Sequence, residues 1–380
     1  MNHRLLSAGR GCLLGCALLL VGCPNRIDVA KAGEHAGMIT LGMVPVGRAF
    51  DPGDMDVEDY EIYVGNPDGS QLRRLTWNEV ADVQPVWSRD SSKIAYVTET
   101  ARQDEEGDEY FASTLAVYDF KWDGSFALES DAYRFDTVAY PAFGPDDTVV
   151  ASTEGGDLVS VRFDEGAFSD DGIIYPSDPS HVPAYFPVWS PNGKWIAFNG
   201  DFKTIGAMRP DGTEVALVDM EALAREVPGV EELTTYWPIW RSRNRIWFTA
   251  YAEGVPLGTT YVFSFDVRTG QTTIVDSLER IAFGYASLST DGRRLVGIRW
   301  RDAKQEEMEL MAYDLRDRKV HRLMRNRTWT DVDMPLPVWT AAGREVMVWD
   351  AGAFVRVSPW GSVLSSFDLG KLAYRTNFIE

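Results

Sequence analysis

Cysteine is nearly absent from this chain, and basic charge is scarce. The 380 residues include three cysteines, Cys12, Cys16 and Cys23, all near the amino terminus. The rest of the chain therefore contains no disulfide framework. Lysine and arginine total 37 against 57 aspartates and glutamates, which gives a formal net charge of −20. Because nucleic acids select basic surfaces, this balance argues against a nucleic-acid partner.

Long hydrophobic runs are also missing, apart from a short one near the amino terminus. Two arginines precede an apolar run at residues 12–21. The run is too short to span a membrane and is typical of a secretory signal peptide. It ends in LVGC at residues 20–23, which resembles the bacterial lipobox. The resemblance implies cleavage before Cys23 and a lipid on its thiol. The alternative is an ordinary signal peptide with an incidental cysteine.

The lipobox predicts a place in the bacterial cell envelope. We expect residues 1–22 to be the lipoprotein signal peptide, residues 23–37 a lipidated terminus and linker, and residues 38–380 the folded domain. The lipid on Cys23 is then the protein's contact with the membrane, and the domain faces the periplasm. Pro24 rather than aspartate follows the cysteine, which by resemblance to Gram-negative lipoproteins favours the outer membrane over the inner.

Motifs of several enzyme classes are missing as well. The sequence contains no GxSxG elbow, no HExxH and no glycine-rich phosphate loop. A calcium loop beginning at Asp54 fails because Asp59 and Gly65 stand where glycine and glutamate are needed. We therefore predict no metal ion, no cofactor and no assigned catalytic residue. Carboxylate pairs for glycoside chemistry stay open, because acidic residues are plentiful.

One sequence motif recurs along the chain. PVWSPNGKWIAF at residues 187–198 is echoed by PVWSRDSSKIAY at 85–96, PAFGPDDTVVA at 141–151 and PVWTAAGREVMV at 337–348. A period of about 50 residues with short strands predicts a radial β-repeat. The repeats share an anchor residue, found at Pro85, Pro141, Pro187, Pro238, Ala286 and Pro337.

Each repeat predicts four antiparallel strands joined by tight turns. Two positions after each anchor stands a bulky residue, which we expect to pack between neighbouring sheets. These residues are Trp87, Phe143, Trp189, Trp240, Leu288 and Trp339. The polar turns carry Pro, Asp, Asn and Gly, as in SPNG at residues 190–193.

IYVGNPDGSQLRRLT at residues 62–76, followed by PVWSRDSSKIAY, resembles the TolB-type, WD-like β-propeller repeat. The resemblance extends over about residues 38–370 and implies an all-β fold, a single propeller of four-stranded antiparallel blades. We expect seven blades, with residues 38–76 lacking a first strand that residues 371–378 supply to close the ring. Six blades is the alternative. We expect no counterpart of the α/β domain that precedes the propeller in TolB, so that protein's partners are not carried over.

Loop length distinguishes the two faces of such a propeller. Turns between first and second and between third and fourth strands share one face and are short. The opposite face, called here the long-loop face, carries the longer connections, which predicts that it is the working face. Those connections are expected at residues 47–59, 99–111, 164–185, 218–236 and 325–334.

Aromatic and acidic residues are the candidates for binding on the long-loop face. The aromatic candidates lie just before the anchors, at Tyr140, Tyr185, Phe186, Tyr236, Trp237 and Tyr285. The acidic candidates are Asp104, Glu105 and Asp108. Aromatic rings suit a peptide or sugar, and they equally suit a plug in the channel. We therefore predict a binding or scaffolding module for a protein or peptide partner in the envelope. The alternative is a polysaccharide lyase or hydrolase that uses carboxylates, with or without a divalent ion, in the central funnel.

Overall fold

The computed structural model describes most of the repeat region. It covers residues 39–43, 60–66, 68, 70–78, 80–103, 109–128, 138–178, 181–227, 230, 232–252, 259–279, 284–289, 293–300, 308–325, 337–339, 345–350 and 353–368. The predicted signal peptide, the lipidation site at Cys23 and the linker lie outside these residues.

The described residues form seven antiparallel sheets, each made of strands consecutive in the chain. The first sheet contains β1 (Ile39–Met43), β2 (Glu61–Gly65) and β3 (Arg73–Arg74). The second contains β4 (Ala81–Trp87), β5 (Lys93–Gln103), β6 (Glu109–Asp119) and β7 (Gly124–Ala127). The third contains β8 (Val138–Phe143), β9 (Thr148–Thr153), β10 (Leu158–Asp164) and β11 (Ala167–Tyr175). The fourth contains β12 (Tyr185–Trp189), β13 (Ile196–Gly200), β14 (Thr204–Met208) and β15 (Ala216–Leu217).

The fifth sheet differs because its first strand is interrupted. Two short strands, β16 (Leu233–Thr235) and β17 (Ile239–Ser242), both pair with β18 (Arg245–Ala252). The sheet continues with β19 (Thr259–Asp266) and β20 (Gln271–Glu279). The sixth sheet contains β21 (Gly284–Leu288), β22 (Arg294–Trp300), β23 (Met308–Asp314) and β24 (Lys319–Arg325). The seventh contains β25 (Val338–Trp339), β26 (Val346–Asp350), β27 (Ala353–Val357) and β28 (Val363–Asp368).

Helical structure is sparse in the described part of the chain. A 3₁₀ turn spans Pro145–Asp147. Helix α1 (Met220–Glu226) begins after Asp219, whose side chain accepts a hydrogen bond from the Ala222 N–H and so caps the first turn. Its Leu223 is buried in the apolar core between the fourth and fifth sheets. Among the described residues, no helix has the length and apolar character needed to cross a membrane.

The bulky residue after each anchor packs against the preceding sheet. Trp189 is buried with Ala142 and Val150 of the third sheet, and Trp240 is buried with Ile205 of the fourth. Trp87, Phe143 and Trp339 occupy the same place between their sheets. The side chain of Leu288 lies outside the described residues. Each sheet thus buries its apolar face against its neighbour, as in radial repeats.

Two of these tryptophans also make equivalent hydrogen bonds between sheets. Trp189 Nε1–H donates to the Ala142 carbonyl at 3.1 Å, and Trp240 Nε1–H donates to the Val188 carbonyl at 2.8 Å. The first strands of successive sheets lie side by side, β4 against β8, β8 against β12 and β12 against β17. The first strands therefore lie at the centre and the fourth strands at the rim. This arrangement confirms the predicted all-β propeller of four-stranded antiparallel sheets, while the number of blades and the closure by residues 371–378 stay predictions.

Three of the expected loops contain regular structure. Strands β5 and β6 pair continuously from Lys93↔Asp119 to Gln103↔Glu109, so most of residues 99–111 is a hairpin. Strand β11 occupies part of residues 164–185, and α1 with β16 occupies part of 218–236. The loop prediction was wrong in these parts because the extra length extends neighbouring strands or forms a short helix. Residues 47–59 and 326–334 lie outside the described residues.

Candidate binding site at the centre of the long-loop face

The residue just before the anchor proline has an unusual backbone in three successive sheets. Gln84, Tyr140 and Phe186 have φ values of 53°, 56° and 54°. Each lies where the pairing register of the first strand slips, as in a β-bulge. Proline donates no ladder hydrogen bond, so pairing is already interrupted there. The left-handed backbone is uncommon for residues with a Cβ and costs on the order of 1 kcal/mol each.

The side chains at this position contact one another in order around the centre. Gln84 Oε1 accepts a hydrogen bond from the Tyr140 N–H at 2.6 Å. The Tyr140 and Phe186 ring centroids are 4.0 Å apart, and those of Phe186 and Trp237 are 5.3 Å apart. Tyr140, Phe186 and Trp237 are half-buried. Three of the predicted residues thus form one continuous structure across the third, fourth and fifth sheets, called here the aromatic arc.

Phe202 extends the aromatic arc and was missed by the sequence analysis. It lies in the turn between β13 and β14 with φ of 57°, after Asp201 with φ of 51°. Its ring packs edge-on against Phe186 at 5.9 Å, yet 38% of the residue stays exposed. A single phenylalanine in a hairpin turn has no periodicity to reveal it, so only the fold brings it to the arc.

Asn199 holds this corner of the arc together. The fully buried side chain accepts a hydrogen bond from the Phe202 N–H at 2.6 Å. Its amide donates to the carbonyls of Thr235 and Tyr236, both at 3.3 Å. These hydrogen bonds link the segment between β16 and β17 to the turn that carries Phe202. Tyr236 therefore contributes its backbone to this corner.

Tyr185 lies beside the arc in acidic surroundings. Its hydroxyl donates to the Glu154 carbonyl at 3.3 Å. Burial, and then the carboxylates of Asp201, Glu154 and Asp157, raise the pKa of Tyr185. These three carboxylates come from the second-to-third turns of two neighbouring sheets, which lie on the long-loop face. Negative charge therefore lies beside the aromatic arc.

The remaining predicted site residues are not placed by the described structure. The backbone of Tyr285 lies at a register slip of β21 between Gly284 and Ser287, which is the equivalent position in the sixth sheet. Its side chain lies outside the described residues. Asp104, Glu105 and Asp108 also lie outside them, so their part in the site stays a prediction.

A buried carboxylate lies near the start of β4. Asp82 is 0% exposed, and it accepts hydrogen bonds from Thr98 Oγ1 at 2.9 Å and Asn78 Nδ2 at 2.8 Å. Burial raises the pKa of Asp82 to about 6. A side chain closed off from solvent contacts no ligand, so Asp82 belongs to the packing of the first two sheets. Within the described ranges, no three His, Cys, Asp or Glu side chains are grouped to hold a metal ion.

Comparison with known proteins shows that the chain has a β-propeller fold and does not show its function. No protein-family model and no curated protein matches it. An oligogalacturonate lyase in complex with manganese is 14% identical, over 79% of this chain and 82% of the lyase, with a TM-score of 0.56.

Two other solved structures are also similar to this chain. A chain from a study of two prolyl endopeptidases is 13% identical, over 93% of this chain and 51% of its own length, with a TM-score of 0.57. TolB from Acinetobacter baumannii is 14% identical, over 88% of this chain and 64% of its own, with a TM-score of 0.44. At such identities the likeness to the lyase and the endopeptidase concerns the fold alone.

Proposed function

We propose that this chain is a binding module that docks a protein or peptide partner in the bacterial cell envelope. The observation that carries the proposal is the aromatic arc of Tyr140, Phe186 and Trp237, with Phe202 exposed beside it. Aromatic side chains contribute large contact areas at low entropic cost and dominate many protein interfaces. Backbone strain at two of the arc residues is typical of a functional site.

The acidic surroundings of Tyr185 suggest the chemistry of the partner. The carboxylates of Glu154, Asp157 and Asp201 act on Tyr185, and the whole chain has a net charge of −20. Such a surface attracts a basic segment and repels an acidic one. The partner segment is therefore one that combines apolar side chains with lysine or arginine.

The cellular setting of the proposal comes from the sequence. A lipid on Cys23 anchors the module to the envelope, in the outer membrane facing the periplasm. Metabolic labelling with a radioactive fatty acid, lost in a Cys23→Ser variant, tests this part by itself.

Site-specific photo-crosslinking in living cells tests the docking face. A photo-reactive phenylalanine analogue replaces Phe202 on the arc or, as a matched control, Trp122 on the opposite face. A discrete crosslinked protein at position 202, absent at position 122 and reduced by Phe186→Ala, supports the proposal. Equal crosslinking at both positions, or none at position 202, contradicts it.

The second interpretation, a polysaccharide lyase or hydrolase, rests on the fold alone. The manganese-containing lyase that this chain resembles shares 14% identity. Purified protein incubated with oligogalacturonates and manganese, and monitored for new reducing ends and unsaturated products, tests it directly. Turnover that is abolished by substitutions in the central funnel would make the enzyme the correct interpretation.

A further inference from the structure

A cavity of about 400 Å³ lies on the fifth sheet, at its short-turn end and away from the aromatic arc. Its polar lining consists of two guanidinium groups and three hydroxyls, and a tryptophan ring forms part of its wall. These residues are Arg241, Arg245, Ser242, Ser264, Thr273 and Trp247. Its volume is within the range of about 300–1,000 Å³ typical of small-molecule sites.

Strand register explains why these side chains converge. Trp247 pairs with Ser264 and Ser264 pairs with Thr273, so the three residues form a row across β18, β19 and β20. Arg245 lies two residues before Trp247 and therefore on the same face of the sheet. The opposite face buries Phe248 against the fourth sheet. The cavity thus lies on the face that turns toward the sixth sheet.

The sixth sheet lies beside this face of the fifth sheet, and the described residues that line the cavity all belong to the fifth sheet. Trp247 packs with Leu295 and Met311 of that sheet. Arg318, in the turn after β23, lies 3.6 Å from Asp276 of β20. The cavity is thus an open groove on the fifth sheet that borders its contact with the sixth sheet.

Positive charge in the cavity is only partly compensated. Arg241 lies over the ring of Trp247 at 5.6 Å and forms no ion pair with any carboxylate in the described part of the chain. Arg245 approaches Asp266 at only 3.6 Å, and 55% of its side chain is exposed. The neighbouring turns add further basic side chains that form no ion pair with a described carboxylate, namely Arg243, Arg268, Arg316 and Lys319. The chain as a whole has a net charge of −20, whereas the surface around this cavity is rich in arginine and positively charged.

We propose that this cavity binds a phosphate-bearing ligand, either a small organic phosphomonoester or a phosphate headgroup at a membrane surface. Guanidinium groups bind phosphate oxygens through paired, charge-assisted hydrogen bonds. A phosphomonoester presents three acceptor oxygens, which matches two arginines and adjoining hydroxyls better than the two oxygens of a carboxylate. The cavity is larger than a phosphate, so the organic part lies against the ring of Trp247.

Calorimetry with soluble probes tests the proposal first. Glucose 6-phosphate, inorganic phosphate and glucose are titrated into the full chain at constant ionic strength. The same titrations use Arg241→Gln, Arg245→Gln and the control Arg162→Gln, which removes an exposed arginine from β10 of the third sheet. We expect saturable binding of glucose 6-phosphate that each cavity variant weakens about ten-fold or more, the loss typical of a hydrogen bond to a charged group. The control variant should bind as the unmodified chain does.

A second arm identifies the source of the phosphate. Phosphatidylcholine vesicles with and without phosphatidic acid are floated with the same four proteins. Flotation that needs phosphatidic acid and both cavity arginines, without binding of glucose 6-phosphate, assigns the site to a lipid headgroup. Thermal melting of each variant excludes unfolding as the cause of a loss. The proposal is overturned if no phosphate-bearing probe binds saturably, if glucose binds equally well, or if both cavity variants bind as tightly as the unmodified chain.

Discussion

The rings of Tyr140 and Phe186 are in contact, 4.0 Å between centroids, although the two residues are 46 positions apart in the chain. Both precede an anchor proline, and both have a left-handed backbone. The contact therefore joins equivalent positions of two successive sheets. Each ring belongs to a residue at a bulge of its first strand, so we expect the aromatic arc and the local backbone conformation to depend on each other.

Replacing Phe186 by glycine should destabilise the protein less than replacing it by alanine. Both changes remove the ring, but only glycine adopts φ of 54° without steric cost. We expect the glycine variant to be more stable by a few tenths to about 1 kcal/mol, after its greater entropy in the unfolded chain is subtracted. Urea unfolding of both variants measures the difference.

Val188, two residues further along β12, is the matched control. Its backbone is not left-handed, so glycine there should be less stable than alanine. If alanine is more stable than glycine at both positions, Phe186 does not have the left-handed backbone in solution.

The repeat predicted the strands better than it predicted the site. The repeated motif around Pro187 predicted β12, β13 and the buried Trp189, because alternating apolar residues and turn residues recur at fixed distances. It did not reveal Phe202, whose contact with Phe186 depends on a turn in a different strand pair. Nor did it reveal the cavity at Arg241, since that arginine and Thr273 meet only through the register of four strands.

Arg74 and Arg73 are adjacent in β3 but should differ greatly in their contribution to stability. Arg74 pairs at 2.5 Å with Glu61, whose side chain is 1% exposed. Arg74→Met leaves that buried carboxylate without its cation, and we expect a loss of about 3–5 kcal/mol. Arg73 pairs with Asp123 where both side chains are more than half exposed, so Arg73→Met should cost at most about 1 kcal/mol.

Chemical denaturation of the two single variants measures these losses. Adding Glu61→Gln to Arg74→Met should recover part of the stability, because the buried charge is then removed. Equal losses for both arginines would contradict the buried pair.

Asp82 should make the protein less stable as the pH rises. Its pKa is raised from 3.8 to about 6 in the folded chain, with burial as the main cause. Between these values the folded state binds more protons than the unfolded state, so the free energy of unfolding falls as pH increases. Relative to the unmodified chain, Asp82→Asn should gain about 3 kcal/mol in stability between pH 3.5 and pH 7.

Asp211→Asn is the control of opposite sign. Hydrogen bonds from Thr213 lower the pKa of this exposed carboxyl, so its ionised form is favoured in the folded state. The variant should therefore lose a little stability relative to the unmodified chain as pH rises. A stability difference for Asp82→Asn that does not change with pH would mean that folding does not shift the pKa of Asp82.

The tryptophan hydrogen bonds between sheets should contribute equally wherever they recur. Trp240→Phe removes the donor to the Val188 carbonyl, and Trp189→Phe removes the donor to the Ala142 carbonyl. Each variant loses one hydrogen bond between sheets, and we expect it to lose about 0.5–1.5 kcal/mol. Trp122→Phe, on an exposed turn, should stay within about 0.5 kcal/mol of the unmodified chain. If urea unfolding gives Trp240→Phe the same stability as Trp122→Phe, the indole N–H of Trp240 contributes nothing measurable to the packing of the sheets.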